Sequence, residues 1–272
     1  EVYKRASINP KWTEILKKEC DRYKIEFLTS PYDMDYVDEV NKYVKAYKIG
    51  SGDITWLEIV RKISKKNKPV ILATGASTLK DVEIAYKLIK KYNKQIVLMQ
   101  CNTNYTADEE NFKYINLRVL NKFKKKFKNA ILGLSDHTLG HSTVLGAIAM
   151  GARVVEKHFT DDNNRLGPDH KFSMNPKTWR EMILASRELE SSLGNGEKKI
   201  EKNEIRTVIL QRRSYVAKKN ILINEKITKK NVFPLRPALE GSPTPNEDKK
   251  LFNKRSKKLV LKGEHLEWKN LK

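Results

Sequence analysis

No stretch of this chain approaches the ~20 consecutive apolar residues that a membrane-spanning helix needs, and Glu1-Val-Tyr-Lys-Arg5 lacks the apolar core of a secretory leader. A soluble, cytoplasmic protein without membrane partners is expected. Cysteine is scarce: Cys20 and Cys101 stand far apart with no CxxC spacing. Structural disulfides and thiolate zinc sites are therefore not expected. Also missing are an RNA-recognition signature, a zinc finger and an arginine-rich arm. Without them the net charge of +22, mostly lysine in short runs such as Lys122-Phe-Lys-Lys-Lys-Phe-Lys128, reads as solvated helix faces. Nucleic acid is not an expected partner. A small anionic substrate needs only a few placed cations, and the overall charge would steer it inward.

What is present has a clear rhythm. Short apolar or β-branched runs recur at intervals of roughly twenty to thirty-five residues, about one strand, one helix and two turns. They are Ile25–Leu28, Ala46–Ile49, Pro69–Leu72, Ile96–Met99, Ala130–Leu134 and Ala152–Val155. Alternation of this kind implies a parallel sheet buried on both faces. Each run ends in polar residues: Thr29-Ser30, Gly50-Ser-Gly-Asp53, Ala73-Thr-Gly75, Gln100-Cys-Asn-Thr103, Ser135-Asp-His137 and Lys157-His158. Polar groups gathered at carboxyl ends of strands suit the active rim of a (β/α) barrel. A doubly wound open sheet would show the same alternation, and spacing leaves both open.

Past Leu193 the texture changes. Gly194-Asn-Gly196 breaks the last long helical pattern, and a charged linker over 196–206 follows. Residues 207–272 carry strand-like runs at Val208–Leu210 and Lys258–Leu261 and a turn-rich Leu235–Pro245, read as a small β-rich domain. Residues 1–195 form the larger domain.

Five motifs in order, Phe27-Leu-Thr-Ser-Pro-Tyr-Asp33, Lys48-Ile-Gly-Ser-Gly-Asp53, Leu134-Ser-Asp-His-Thr138, Glu156-Lys-His-Phe-Thr160 and Gly167-Pro-Asp169, resemble the sialic acid synthase family. Arg212-Arg-Ser214 and Leu235-Arg-Pro237 are similar to its small antifreeze-like, or SAF, domain. The resemblance covers essentially the whole chain. It implies a TIM-type (β/α)8 barrel followed by an SAF domain at 207–272. Three positions depart from the family pattern: Asp53 replaces a usual Glu, Ala73 a usual Ser, and Thr106 a frequent Pro. The family's first two strands have no counterpart, so strands three to eight are expected. Glu1 is read as not being the biological start, and an open-edged sheet of this kind should associate when expressed alone.

The resemblance also implies a chemistry: condensation of phosphoenolpyruvate with an N-acyl amino hexose, N-acetylmannosamine or a dideoxy analogue, giving a nine-carbon 2-keto-3-deoxy acid and phosphate. His137 and His158 fall at the family's metal site, and imidazoles suit a divalent transition ion, expected to be Mn2+, with Mg2+ or Co2+ as substitutes. Asp136 and Glu156 either orient those rings or make structural ion pairs. Lys48 is expected to meet phosphoenolpyruvate, with Ser30, Ser51 and Ser135 as a hydroxyl cradle and Thr103 and Tyr105 adding to it. Asp169 is expected on the sugar. Arg236 is expected to reach the sugar from the partner subunit of a homodimer, each SAF domain covering the other barrel. Arg212 and Arg213 are read as structural, His141 as lying near the start of a helix, and His170 as a neighbour of the site. No general base is assigned. A non-catalytic sugar-binding remnant and another metal-dependent barrel aldolase are the competing readings.

Overall fold

A computed structural model describes residues 8–272. Contacts divide the chain into two units, one ending at Asn195 and one running from Gly196 to Lys272.

The larger unit is an α/β half-barrel. Its strands β1 (Tyr47–Ile49), β2 (Val70–Ala73), β3 (Ile96–Cys101), β4 (Ile131–Asp136) and β5 (Val154–Lys157) pair in sequence order. All four pairings are parallel. Helices α1 (Trp12–Arg22) and α2 (Met34–Glu39) precede the sheet. Between strands run α3 (Leu57–Ser64), α4 (Leu79–Tyr92), α5 (Val119–Lys126) and α6 (Ser142–Ala149), and α7 (Pro176–Ser192) follows β5.

Period-two alternation sorts each strand between two layers. Val70, Leu72, Ile96, Leu98, Leu132 and Leu134 face the helices and join Ile59, Ile63, Val82, Ile89, Leu120 and Phe123 in the main core. On the concave face Ile71, Val97 and Met99 cluster against Val154. A glycine is required on that face at Gly133: a methyl there would lie 2.8 Å from the Val154 carbonyl and 2.9 Å from Met99 Cγ. Local chemistry sets the helix starts. Thr78 and Asp81 form a capping box on α4, and Asn175 with Thr178 caps α7, whose first residue is Pro176.

One expected strand is absent. Ile25–Leu28 forms no ladder; the nearest backbone link is a single 3.3 Å bond from Lys48 N–H to the Thr29 carbonyl. Phe27 packs against the main core, but Ile25 and Leu28 on either side are exposed, so the run lacks the ladder and the continuous burial of a strand. The described sheet thus has five strands, where six were expected.

The smaller unit contains helix α8 (Ile205–Gln211), the antiparallel pair β6 (Ser214–Ala217) and β7 (Val232–Leu235), and helix α9 (Asp248–Leu251). Its core gathers Tyr215, Ile221, Ile227, Val232, Leu251, Val260, Leu266 and Leu271. Two expectations are corrected. Val208–Leu210 lies within α8, because a helical turn at Lys202–Glu204 with a Glu201–Glu204 capping box starts helix inside the supposed linker. Lys258–Leu261 is no strand; only Val260 bridges, to Ile221.

Candidate active site

The carboxyl ends of β1, β3, β4 and β5 bring the expected residues of the larger unit together. Alternation explains which ones. On β4, Ser135 and the following His137 face the concave side, while Asp136 between them faces α6. On β5 and beyond, Glu156 and His158 face inward and Lys157 outward.

Glu156 ties the inner face together. Its Oε1 accepts from Lys48 Nζ at 3.0 Å and from Ser135 Oγ at 2.8 Å, linking β5 to β1 and β4. Lys48 therefore has a counter-charge, although only about an eighth of its side chain is exposed. That placement resolves the cost of an ammonium at a strand end. Ser51 Oγ accepts from the Gly75 N–H at 2.9 Å. Gly75 cannot carry a side chain there, since a methyl would sit 2.9 Å from Ser51 Oγ and press into Thr103. Cys101, which the sequence reading left unassigned, is buried in the same place, and burial pushes its thiol above the usual range despite Ser51 and Ser135 beside it. Ser30 follows the Thr29 carbonyl that accepts from Lys48 N–H, next to Tyr32. Burial also raises the Asp53 carboxyl.

The two histidines lie side by side, with ring centroids 5.0 Å apart. His137 Nδ1 is 2.7 Å from the Asn102 carbonyl. A carbonyl only accepts, so Nδ1 carries the proton and Nε2 keeps its lone pair. Burial, and then the neighbouring His158, hold His137 below the usual histidine range, outweighing the Asn102 hydrogen bond. His158 Nδ1 stands 3.4 Å from Asp169 Oδ2. Tyr105 packs edge-on to both rings at 4.4 and 5.6 Å, and Phe172 lies 5.0 Å from His158. Phe172 was missed; its distance in sequence from both histidines gave no signal.

In donor chemistry two imidazoles would suit a divalent transition ion, and His137 has the second-nitrogen hydrogen bond of such a ligand. Neutral imidazole with its second nitrogen hydrogen-bonded is the usual ligand state. Among the described residues no third His, Cys, Asp or Glu completes a metal-binding group. An ion held by these two rings would keep positions open to substrate and water.

The hydrogen bonds of Asp136 go to groups other than the two rings. It accepts from Lys157 Nζ at 2.6 Å, with Thr138 and Thr143 hydroxyls on the same carboxylate. His141 immediately precedes α6, and His170 Nδ1 is 2.8 Å from Thr160 Oγ1. In the smaller unit Arg236 donates through Nε to the Gln211 carbonyl at 2.5 Å, and Arg213 to the Pro234 carbonyl at 3.0 Å.

Residues 1–198 match the model of the NeuB family. The chain belongs to the NeuB family, the sialic acid synthases. Among its relatives, the N,N'-diacetyllegionaminic acid synthase of Campylobacter jejuni is 39% identical over 225 residues, which is 81% of this chain and 65% of that protein. The synthase of the same name from Legionella pneumophila is 32% identical, over 90% of this chain and 69% of its own length. Pseudaminic acid synthase of C. jejuni is 30% identical, over 98% and 76%. This NeuB chain thus spans about two thirds to three quarters of the length of these relatives. Among solved structures, a putative spore coat polysaccharide biosynthesis protein E from Chromobacterium violaceum shares the fold (TM-score 0.78, 21% identity, 99% of this chain and 80% of that one). The N-acetylneuraminic acid synthetase of Leptospira borgpetersenii, in complex with citrate, superposes with a TM-score of 0.69 at 26% identity, covering 75% of this chain and 71% of that one. The family read from the motifs is the one these comparisons find. No helix among the described residues is long and apolar enough to cross a membrane.

Proposed function

We propose that this chain is a phosphoenolpyruvate-dependent synthase that condenses phosphoenolpyruvate with an N-acyl amino hexose. The products are a nine-carbon 2-keto-3-deoxy acid of the sialic or legionaminic type and inorganic phosphate. The observation that carries this reading is the convergence on one rim of Lys48–Glu156–Ser135 with the His137–His158 pair. Names of the relatives support the nine-carbon acid class, with legionaminic synthases among the more similar.

In this reading Lys48 binds the phosphoenolpyruvate anion, shifting its ammonium from Glu156 toward the ligand. Hydroxyls of Ser30, Ser51 and Ser135 donate to the phosphate or carboxylate, and Thr103 and Tyr105 close the side of the pocket. Asp169 accepts from sugar hydroxyls, and Arg236 acts on the sugar from the SAF domain of the second subunit of a cytoplasmic homodimer. His137 and His158 would hold the divalent ion, manganese first and magnesium or cobalt as substitutes. When bound, that ion supplies Lewis-acid polarisation of the sugar aldehyde. The chain's own contribution is orientation, placing the phosphoenolpyruvate methylene carbon against the aldehyde carbon. One carbon–carbon bond forms, the aldehyde oxygen takes a proton, water adds at the phosphate-bearing carbon, and its bond to the phosphate oxygen breaks. Mass spectrometry of products tests the reading: N-acetylmannosamine or a 2,4-diacetamido analogue should gain the three carbons of pyruvate. Hexose recovered unchanged across the panel would overturn it.

A further inference from the structure

Each of the two histidines is preceded in sequence by one member of an ion pair that the proposed chemistry does not use. Asp136 and Lys157 are register partners on adjacent parallel strands β4 and β5. Their charged groups meet at 2.6 Å, with side chains 0% and 1% exposed. Further hydrogen bonds surround the pair. Lys157 Nζ also donates to the Thr138 carbonyl at 2.7 Å; Thr138 Oγ1 reaches Asp136 Oδ1 and Oδ2 at 3.0 Å, and Thr143 Oγ1 from α6 reaches Oδ2 at 2.7 Å. A buried pair is weak evidence for stability, because desolvation offsets much of the attraction. Its value lies where geometry must be fixed.

That geometry is next door. Asp136 immediately precedes His137, and Lys157 immediately precedes His158. With a side-chain period of two, whatever sets the spacing of the outward residues also sets the spacing of the inward ones. We infer that the Asp136–Lys157 pair, locked by Thr143, is a positioning device that fixes the separation of the two imidazoles. It rests on the metal reading above.

The test uses the full 272-residue chain and Mn2+ alone, read from loss of the free-manganese electron paramagnetic resonance signal. Asp136→Asn with Lys157→Met neutralises the pair together, keeping shape and avoiding a lone buried charge. It should unfold cooperatively yet bind Mn2+ at least about tenfold more weakly, within the usual range for residues that orient ligands. Leu98→Ala, a core truncation far from the rim, should lose stability and keep its Mn2+ affinity, which separates positioning from general weakening. His137→Ala and His158→Ala should abolish binding. If they bind as the parent does, the metal reading fails, and this inference with it. If they lose Mn2+ while the folded double variant binds within twofold of the parent, the positioning role alone is overturned. Should the double variant not fold, Thr143→Val decides: affinity about two- to fivefold weaker in a folded protein supports the role, and unchanged affinity overturns it.

Discussion

In the proposed reaction, Lys48 is the residue on which phosphoenolpyruvate binding turns. It is nearly buried and, among the described residues, is paired with Glu156, so an arriving trianion would compete with that carboxylate for it. Lys48→Met keeps the stem and removes the charge. It should raise the phosphoenolpyruvate KM by about tenfold or more, the cost of one charge-assisted bond, while leaving Mn2+ affinity within twofold. Steady-state kinetics and metal titration on the same preparation check both. The rim residues were legible from sequence because polar groups cluster where apolar runs stop. Roles were less legible: Asp136 and Glu156 both precede or neighbour a histidine, yet one faces α6 and the other faces Lys48. Strand alternation separates them once the strand ends are known, and the strands run two residues past the apolar runs, to Asp136 and Lys157.

At the scale of elements, β-branched runs such as Val70–Leu72 and Ile96–Met99 announced their strands because both faces are covered. Ile25–Leu28, interrupted by Glu26, runs up to the β1 edge at Thr29 but forms no ladder among the described residues. Val208–Leu210 failed for a different reason: local hydrogen bonding, begun by a capped turn, gave it helix before any strand partner was needed. In the smaller unit, Tyr215 of β6 donates to Asp248 Oδ1 at 2.5 Å, and burial followed by that carboxylate raises its phenol to about 12. The fold therefore holds Tyr215 neutral where the unfolded chain, near 10, ionises it. Its contribution is complete below about pH 10 and declines as pH climbs toward 12, by up to about 1.4 kcal/mol per pH unit. Tyr215→Phe should lower stability at neutral pH, since Asp248 loses its donor, and should flatten the alkaline slope. Urea unfolding at pH 8, 10 and 11 measures it; an identical alkaline slope in parent and variant would refute the assignment.

For the whole molecule, charge is the dominant global property. With +22 net and the anionic substrate proposed, electrostatic steering should make kcat/KM for phosphoenolpyruvate fall as salt rises from about 0.05 to 0.5 M, while kcat changes little. A salt-independent kcat/KM would confine the role of charge to the pocket. The central claim, that this rim joins phosphoenolpyruvate to an N-acyl amino sugar, is tested most directly by phosphate release. With Mn2+ present, release from phosphoenolpyruvate should depend on N-acetylmannosamine or its 2,4-diacetamido analogue and should stop in His158→Ala. Release that proceeds equally without any sugar, or none with any sugar under conditions where the chain is folded and metal-loaded, would contradict it.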